Sequence, residues 1–135
     1  MLRDLGNAIN TFLSIAPVTI GVGATATSVE GVSADRTNYE SAVFVFGNYE
    51  PYGTPTGVTV TCVVQESSDD VTFTDITSEA HNITNTYTNT EVAVNLASVD
   101  KYVRGKMTVQ FNGGTGPFTT VDCVGILGSA RNYPV

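Results

Sequence analysis

The chain has 135 residues, a formal net charge of −7 and charged side chains at only 14% of its positions. This length fits one domain with an ordinary hydrophobic core. Six lysines and arginines against thirteen acids argue against nucleic-acid binding, and without an apolar run of roughly 18 residues or a convincing signal peptide we expect an intracellular product with no membrane partner.

The first segment, LRDLGNAINTFL over residues 2–13, has apolar side chains three and four positions apart, as on one side of a helix. Gly6 weakens a helix, and Pro17 disfavours helix at the residue before it. We therefore predict a short N-terminal arm over 1–16, helical or extended, joined to a β domain over 17–135. The arm packs on its own domain or on a neighbouring subunit, and its interface candidates are Leu2, Leu5, Ile9, Phe12 and Leu13.

From Val18 onward, β-branched and aromatic residues alternate with polar ones, and Gly, Asn, Asp and Pro interrupt the runs. The pattern predicts an all-β domain. Its strands are expected near 18–22, 26–33, 41–48, 57–66, 71–77, 91–96, 102–111 and 119–127. About eight short strands favour a single antiparallel β-sandwich that is jelly-roll-like.

Two predicted strands are apolar on both faces. In SAVFVFGNYE, Val43 and Val45 alternate with the equally apolar Phe44 and its neighbours, and VDCVGILG repeats the feature with Val124 and Ile126 on its second face. The outer face of a two-sheet sandwich is normally wet, so such a strand needs a second cover. The arm, a loop or another chain can supply it, which makes Val43 and Val45 interface candidates.

Two long connections are predicted, over 47–57 and 78–90. The first is rich in Pro and Gly, and the second has almost no apolar content. Ordered loops of this length are often functional, and tyrosines frequently anchor contacts. Tyr49, Tyr52 and Tyr87 are therefore further interface candidates, with plain solvated loops as the alternative.

The two cysteines, Cys62 and Cys123, sit in apolar runs and are expected to be buried thiols. A disulfide between them is the alternative, but a cytosolic product would keep it reduced. Two cysteines without a paired His do not complete a zinc site, and no nucleophile and base pair stands out. The sequence therefore predicts no catalytic residue, no metal site, no cofactor and no enzymatic activity.

The acidic stretch CVVQESSDDVTFTDI raises the question of a site or a turn. No register supplies both the ligands and the glycine of an EF-hand, and acids in a polar turn lack the burial that a catalytic carboxylate pair needs. SSDD is better explained as a turn in a hairpin, with Ser and Asp side chains binding backbone amides. On this interpretation Val71 and Phe73 continue the core face.

The phrases VVQESSDDVTFTDI, VNLASVDKYVRGKMTVQF and VDCVGILGSARNYPV resemble small virion proteins of tailed bacteriophages. In those proteins a similar hairpin precedes a KYVR-like strand and a Gly-Ala-Arg tail ending near Pro. The resemblance covers roughly residues 24–135. Its matching positions are Gln65, Glu66, Ser67, Asp69, Phe73, Asp75, Ile76, Tyr102, Val103, Arg104, Gly128, Ala130, Arg131 and Pro134. Asp70 departs from the pattern, since glycine is commoner there.

The resemblance implies a β-sandwich virion protein that is assembled in the host cytoplasm. Its expected role is head decoration or cement, with the major capsid protein as partner and a homo-oligomer, dimer or trimer, as the working state. A tail, neck or baseplate component of the same virion class is the nearest alternative. A host-surface or carbohydrate-binding module is a second alternative, although the chain has no Trp.

Overall fold

The computed structural model describes residues 8–21, 27–83 and 88–130, with the backbone alone at 77–83, 88 and 130. No helix in these ranges is long and apolar enough to cross a membrane. The described residues form the strands β1 Asn10–Gly21, β2 Thr27–Glu30, β3 Ala34–Asp35, β4 Tyr39–Asn48, β5 Gly57–Ser67, β6 Thr74–Ile83, β7 Thr88–Asn95, β8 Tyr102–Asn112 and β9 Phe118–Ala130. The prediction of an all-β chain is confirmed.

The strands form two antiparallel sheets. The four-stranded sheet has the order β1-β9-β4-β7, and the five-stranded sheet has the order β2-β8-β5-β6 with β3 also paired to β8. Because β2 and β3 pair with successive stretches of β8, they occupy one strand position between them. Eight strand positions in two sheets, with the chain crossing repeatedly from one to the other, make a jelly-roll-like sandwich.

The core lies between the sheets and is built by alternate side chains of the strands. Its fully buried apolar members include Phe44, Phe46, Val60, Val64, Leu96, Val103, Met107, Val109, Val121 and Leu127. The Phe12 ring meets the Phe44 ring edge-on, with 5.9 Å between centroids. Gly125 is on β9, which lies between the strands of Phe12 and Phe44, β1 and β4. A Cβ at Gly125 would come within 2.3 Å of the Phe12 ring. Glycine at 125 therefore makes room for Phe12 in the core.

From Asn10 onward the predicted arm is a strand, so its helical alternative is wrong for residues 10–16. β1 begins at Asn10, runs through Pro17 and pairs with β9 along its length. The register shifts between Leu13 and Ile15, which is the irregularity of a β-bulge. Phe12 and Ile15 therefore both face the core, because one extra residue between them interrupts the alternation of the strand. The boundary placed after residue 16 falls inside β1.

The bulge also connects the two sheets. The buried Ser14 hydroxyl donates to the Val32 carbonyl oxygen at 3.0 Å and accepts the Gly105 N–H at 2.9 Å. The Gly31 N–H donates to the Gly105 carbonyl at 2.8 Å, and a Cβ at Gly31 would lie 2.3 Å from the Ser14 hydroxyl oxygen. One side chain thus fixes β1, the β2–β3 connection and β8 together.

The hairpin prediction for the acidic stretch is confirmed, since β5 and β6 are antiparallel neighbours. The Ser67 hydroxyl oxygen accepts the backbone N–H groups of Asp69 and Asp70 at 3.2 and 2.9 Å. The Asp69 carboxylate accepts the N–H groups of Thr72 and Val71, which lowers the pKa of that carboxyl. Asp70 has a φ of 61°, the conformation for which glycine is the usual choice.

The hairpin differs from the prediction in one respect. Val71 is 80% exposed and Phe73 is half-buried, and both precede β6, which begins at Thr74. The expectation that they continue the core face is wrong, because the turn extends through Thr72. The backbone N–H groups of Val71 and Thr72 donate to the Asp69 carboxylate and not to a neighbouring strand. Phe73 instead contacts a cation, with the Arg104 guanidinium 3.8 Å from its ring centroid.

The predicted connection over 78–90 is also corrected. β6 extends to Ile83 and β7 begins at Thr88, so most of this polar segment is strand. Both are edge strands, held by backbone hydrogen bonds to one neighbour each, which is why they need little apolar content. The other predicted connection is a loop from Tyr49 to Thr56, joined to β9 by an isolated bridge between Tyr52 and Phe118.

Candidate interaction surface

The outer face of the four-stranded sheet, which points away from the core, is apolar. Two neighbouring rows of side chains cross the sheet in register: Thr11, Ile126, Val43 and Ala93 form the first, and Leu13, Val124, Val45 and Glu91 form the second. We call Leu13, Val43, Val45, Ala93, Val124 and Ile126 the apolar face. Because β9 and β4 lie side by side, the second faces of the two doubly apolar strands become one surface.

The apolar face is open to solvent. Leu13 is 50% exposed and Val124 is 37% exposed. Ala93 is exposed, and Val43, Val45 and Ile126 are half-buried against each other. Covering apolar area stabilises a protein by about 25 cal/mol per Å², so these side chains favour a partner surface. A contiguous patch ringed by polar residues is typical of an interaction site.

An aromatic group extends the outer face at one end of the sheet. Phe118 follows the same outward alternation of β9, and its ring stacks on that of Tyr52 with 5.0 Å between centroids and 14° between planes. Tyr52 is 64% exposed and Phe118 41% exposed. The Thr119 hydroxyl donates to the Tyr49 carbonyl oxygen at 2.6 Å and ties the Tyr49 loop to β9. We call Tyr49, Tyr52 and Phe118 the aromatic end.

The opposite end of the outer face carries a depression of about 630 Å³ between β4 and β7. Its lining includes Ser41, Val43, Ala93, Asn95 and Ser129, so it shares two residues with the apolar face. The lining side chains are small, apart from Glu40, and suit a protruding side chain of a protein partner. No cluster of His, Cys, Asp and Glu that could hold a metal ion occurs in the described parts of the chain.

Asp122 lies between the apolar face and the aromatic end. Its carboxylate covers Gly47, where a Cβ would come within 2.4 Å of a carboxylate oxygen. Partial burial raises the pKa of Asp122, and hydrogen bonds from the Gly47 backbone and the Tyr49 side chain oppose the increase. The carboxylate is thus already partly desolvated before any partner arrives. Together with Glu91 it gives this part of the face a negative charge.

The buried thiols show no sign of catalytic use. Cys62 and Cys123 are both buried, and neither forms a disulfide, as expected. Burial raises the pKa of the Cys123 thiol above its usual range, and the nearby Cys62 and Asp122 act in the same direction. A protonated, buried thiol is a poor nucleophile and metal ligand. The cysteines therefore act as small core side chains.

The structure brings several predicted interface residues together and separates others. Leu13, Val43 and Val45 lie on the apolar face, while Tyr49 and Tyr52 lie at its aromatic end. Ile9 is half-buried near Gly128. Phe12 points the other way, into the interior against Phe44. Leu2, Leu5 and Tyr87 lie outside the described residues.

The sequence-based list missed Val124, Ile126, Ala93 and Phe118. Val124 and Ile126 had a visible signal, because their strand is apolar at consecutive positions. Ala93 and Phe118 had none, because each joins the surface only through strand neighbours that are distant in sequence.

No family model matches this chain, and none of the curated proteins is similar to it in sequence. Among solved structures, its fold is similar to that of infectious bursal disease virus, Gx strain, with a TM-score of 0.61, 12% identity, 93% of this chain covered and 34% of that chain. The VP2 subviral particle of the same virus gives a TM-score of 0.57, 10% identity and the same coverages.

The PBSX exported protein XepA gives a TM-score of 0.50 and 14% identity over 100% of this chain and 41% of its own. This chain spans about a third of the length of the viral chains, 34%. The likeness therefore concerns the β-sandwich fold, which viral particle proteins share with this chain.

Proposed function

We propose that this chain is a structural virion protein of a tailed bacteriophage, which binds the assembled capsid as a decoration or cement protein. The observation that carries the proposal is the apolar face, a contiguous and exposed surface of Leu13, Val124 and their neighbours. The fold supports it, because solved viral particle proteins use a similar sandwich. The hairpin and the KYVR strand resemble virion proteins of tailed bacteriophages, and this resemblance is why we propose a tailed bacteriophage as the virus.

The physical role follows from mass action. A protein that binds the assembled shell and not the free subunits stabilises the shell as its concentration rises. Many equivalent binding sites on one particle increase this effect. A polar surface with few charges has a low desolvation cost when it is buried permanently. The major capsid protein is the proposed partner, the virion the proposed location, and no chemistry is required of the chain.

The proposal is tested by cosedimentation of the purified protein with empty capsid shells of the phage that encodes it. Wild type is expected to bind saturably. The variant Leu13→Ser with Val124→Thr is expected to bind at least about tenfold more weakly, because it removes the two most exposed large apolar side chains of the apolar face. Folded wild-type protein that does not bind the shells contradicts the proposal.

A matched control lies on the other sheet. Thr61→Ser with Gln110→Ser changes two outward side chains of the five-stranded sheet and is expected to bind like wild type. Truncation is less suitable, since removing residues 1–16 deletes the first half of β1 and uncovers one edge of β9. A tail, neck or baseplate position in the same particle uses the same apolar face. Cryo-EM of the particle distinguishes these locations.

The aromatic end favours a second candidate, a carbohydrate-binding or host-surface module. Tyr52 and Phe118 expose their rings, and sugars stack on exposed aromatic faces. The two rings stack on each other, however, so each has only one face left for a ligand. Binding to a glycan array that is lost in Tyr52→Ala and retained in Leu13→Ser would favour this candidate over the capsid proposal.

A further inference from the structure

On the outer face of the four-stranded sheet, all the charged side chains that the structure describes are acidic. Glu91 lies in the second row of the apolar face, Asp122 lies at its border, and Glu40 lines the depression at the far end. The lysines and arginines that the structure describes lie elsewhere. Arg104 and Lys106 are on the outside of the five-stranded sheet, and Arg36 and Lys101 are beside the Val99 turn.

This distribution bears on what covers the apolar face. A second copy that presented the same face would add carboxylates and, from the described residues, no cation. Burying Asp122 and Glu91 without a cation costs desolvation energy, and like charges at an interface oppose association. A partner with an apolar centre and basic side chains at its edge would cover the valines and pair with the carboxylates.

We propose that the apolar face binds a capsid surface that brings lysine or arginine side chains to Asp122 and Glu91, and that these carboxylates disfavour self-association through the same face. The inference rests on the proposed function and names the chemistry of its partner. Asp122 is suited to the role, because its carboxylate is held in place over Gly47 by the Tyr49 side chain. The predicted dimer or trimer then forms through another surface.

The test compares binding to the same empty shells at low and high ionic strength. Asp122→Asn with Glu91→Gln removes the two carboxylates and keeps the shape of the face. Its control, Glu30→Gln with Asp70→Asn, removes two charges elsewhere, and asparagine suits the positive φ of residue 70. We expect the Asp122/Glu91 variant to bind several-fold more weakly at about 0.02 M salt, and the difference to disappear near 0.5 M.

Different outcomes separate the inference from the proposed function. If the Asp122/Glu91 variant binds like wild type at low salt, while Leu13→Ser with Val124→Thr still releases the protein, the inference fails and the capsid proposal stands. If wild type does not bind shells at all, the capsid proposal itself fails.

Sedimentation of the free protein adds a third arm. A wild-type dimer that dissociates in the Leu13→Ser and Val124→Thr variant would show that a second copy covers the face, and would overturn the inference. An Asp122/Glu91 variant that self-associates more strongly than wild type would support it.

Discussion

The two outer faces of the sandwich differ, although both sheets share one core. On the five-stranded sheet the outward side chains bind each other: Arg104 donates to Gln65 at 2.9 Å, pairs with Glu30 at 3.4 Å and stacks on Phe73. The outward valines and leucine of the four-stranded sheet have no such partners among the described residues. The polar side chains of the five-stranded sheet already have partners within the chain, whereas the exposed apolar face of the other sheet favours binding to a partner.

The largest expected effect on stability compares the two faces of β4, of which one is buried in the core and the other is part of the apolar face. Phe44→Ala removes a fully buried ring and is expected to lower the free energy of unfolding by about 3–5 kcal/mol. Val45→Thr, one residue away on the apolar face, is expected to change it by less than about 1 kcal/mol. Urea denaturation measures both. A large loss in Val45→Thr would mean that the apolar face is already covered in the isolated chain.

A smaller effect compares the two sides of β9 with the same substitution. Gly125→Ala places a Cβ 2.3 Å from the Phe12 ring, and the strain is expected to cost about 1–3 kcal/mol. Gly128→Ala meets nothing closer than the Ser41 hydroxyl oxygen at 3.5 Å, and is expected to stay within about 0.5 kcal/mol of wild type. Thermal unfolding of the pair checks this, and Phe12→Leu should partly rescue Gly125→Ala.

The smallest effect concerns Asp122 in the isolated protein. Because its folded pKa is raised, the ionised carboxylate destabilises the fold above that pKa, and the cost disappears as pH falls through it. Asp122→Asn is therefore expected to be more stable than wild type at pH 7, by less than about 1 kcal/mol for a partly exposed group. The advantage should vanish below about pH 4. A variant that is less stable at pH 7 would contradict this.

Much of the fold was predictable from the sequence, because alternation of apolar and polar residues directly reflects which side chains are buried. Strands around Phe44, Val60, Val109 and Val121 were recognisable for this reason. The bulge at Ser14 was not, since it places one extra residue between Phe12 and Ile15 and interrupts the alternation by which a strand is recognised. The edge strands β6 and β7 were missed in part because backbone hydrogen bonds, which do not depend on side chains, hold them.

The apolar face was predictable only in part, because the local pattern of apolar and polar residues does not determine the order of the strands in a sheet. Val43 and Val45 were recognisable as a second apolar face on their own strand. That β9 lies beside β4, and that Val124 therefore meets Val45, follows from a long-range pairing. The same pairing brings Asp122 next to Gly47 and creates the acidic border.

The pairing of β1 with β9 has a consequence for how the protein is made. Asn10 lies opposite Leu127, and the Ser14 hydroxyl binds the Gly105 N–H across 91 positions of sequence. Among the described strands, the sheet neighbour of β1 is β9, so β1 is not paired until β9 has emerged from the ribosome. Such a high contact order slows folding, so we expect the sandwich to close only after translation has passed residue 130.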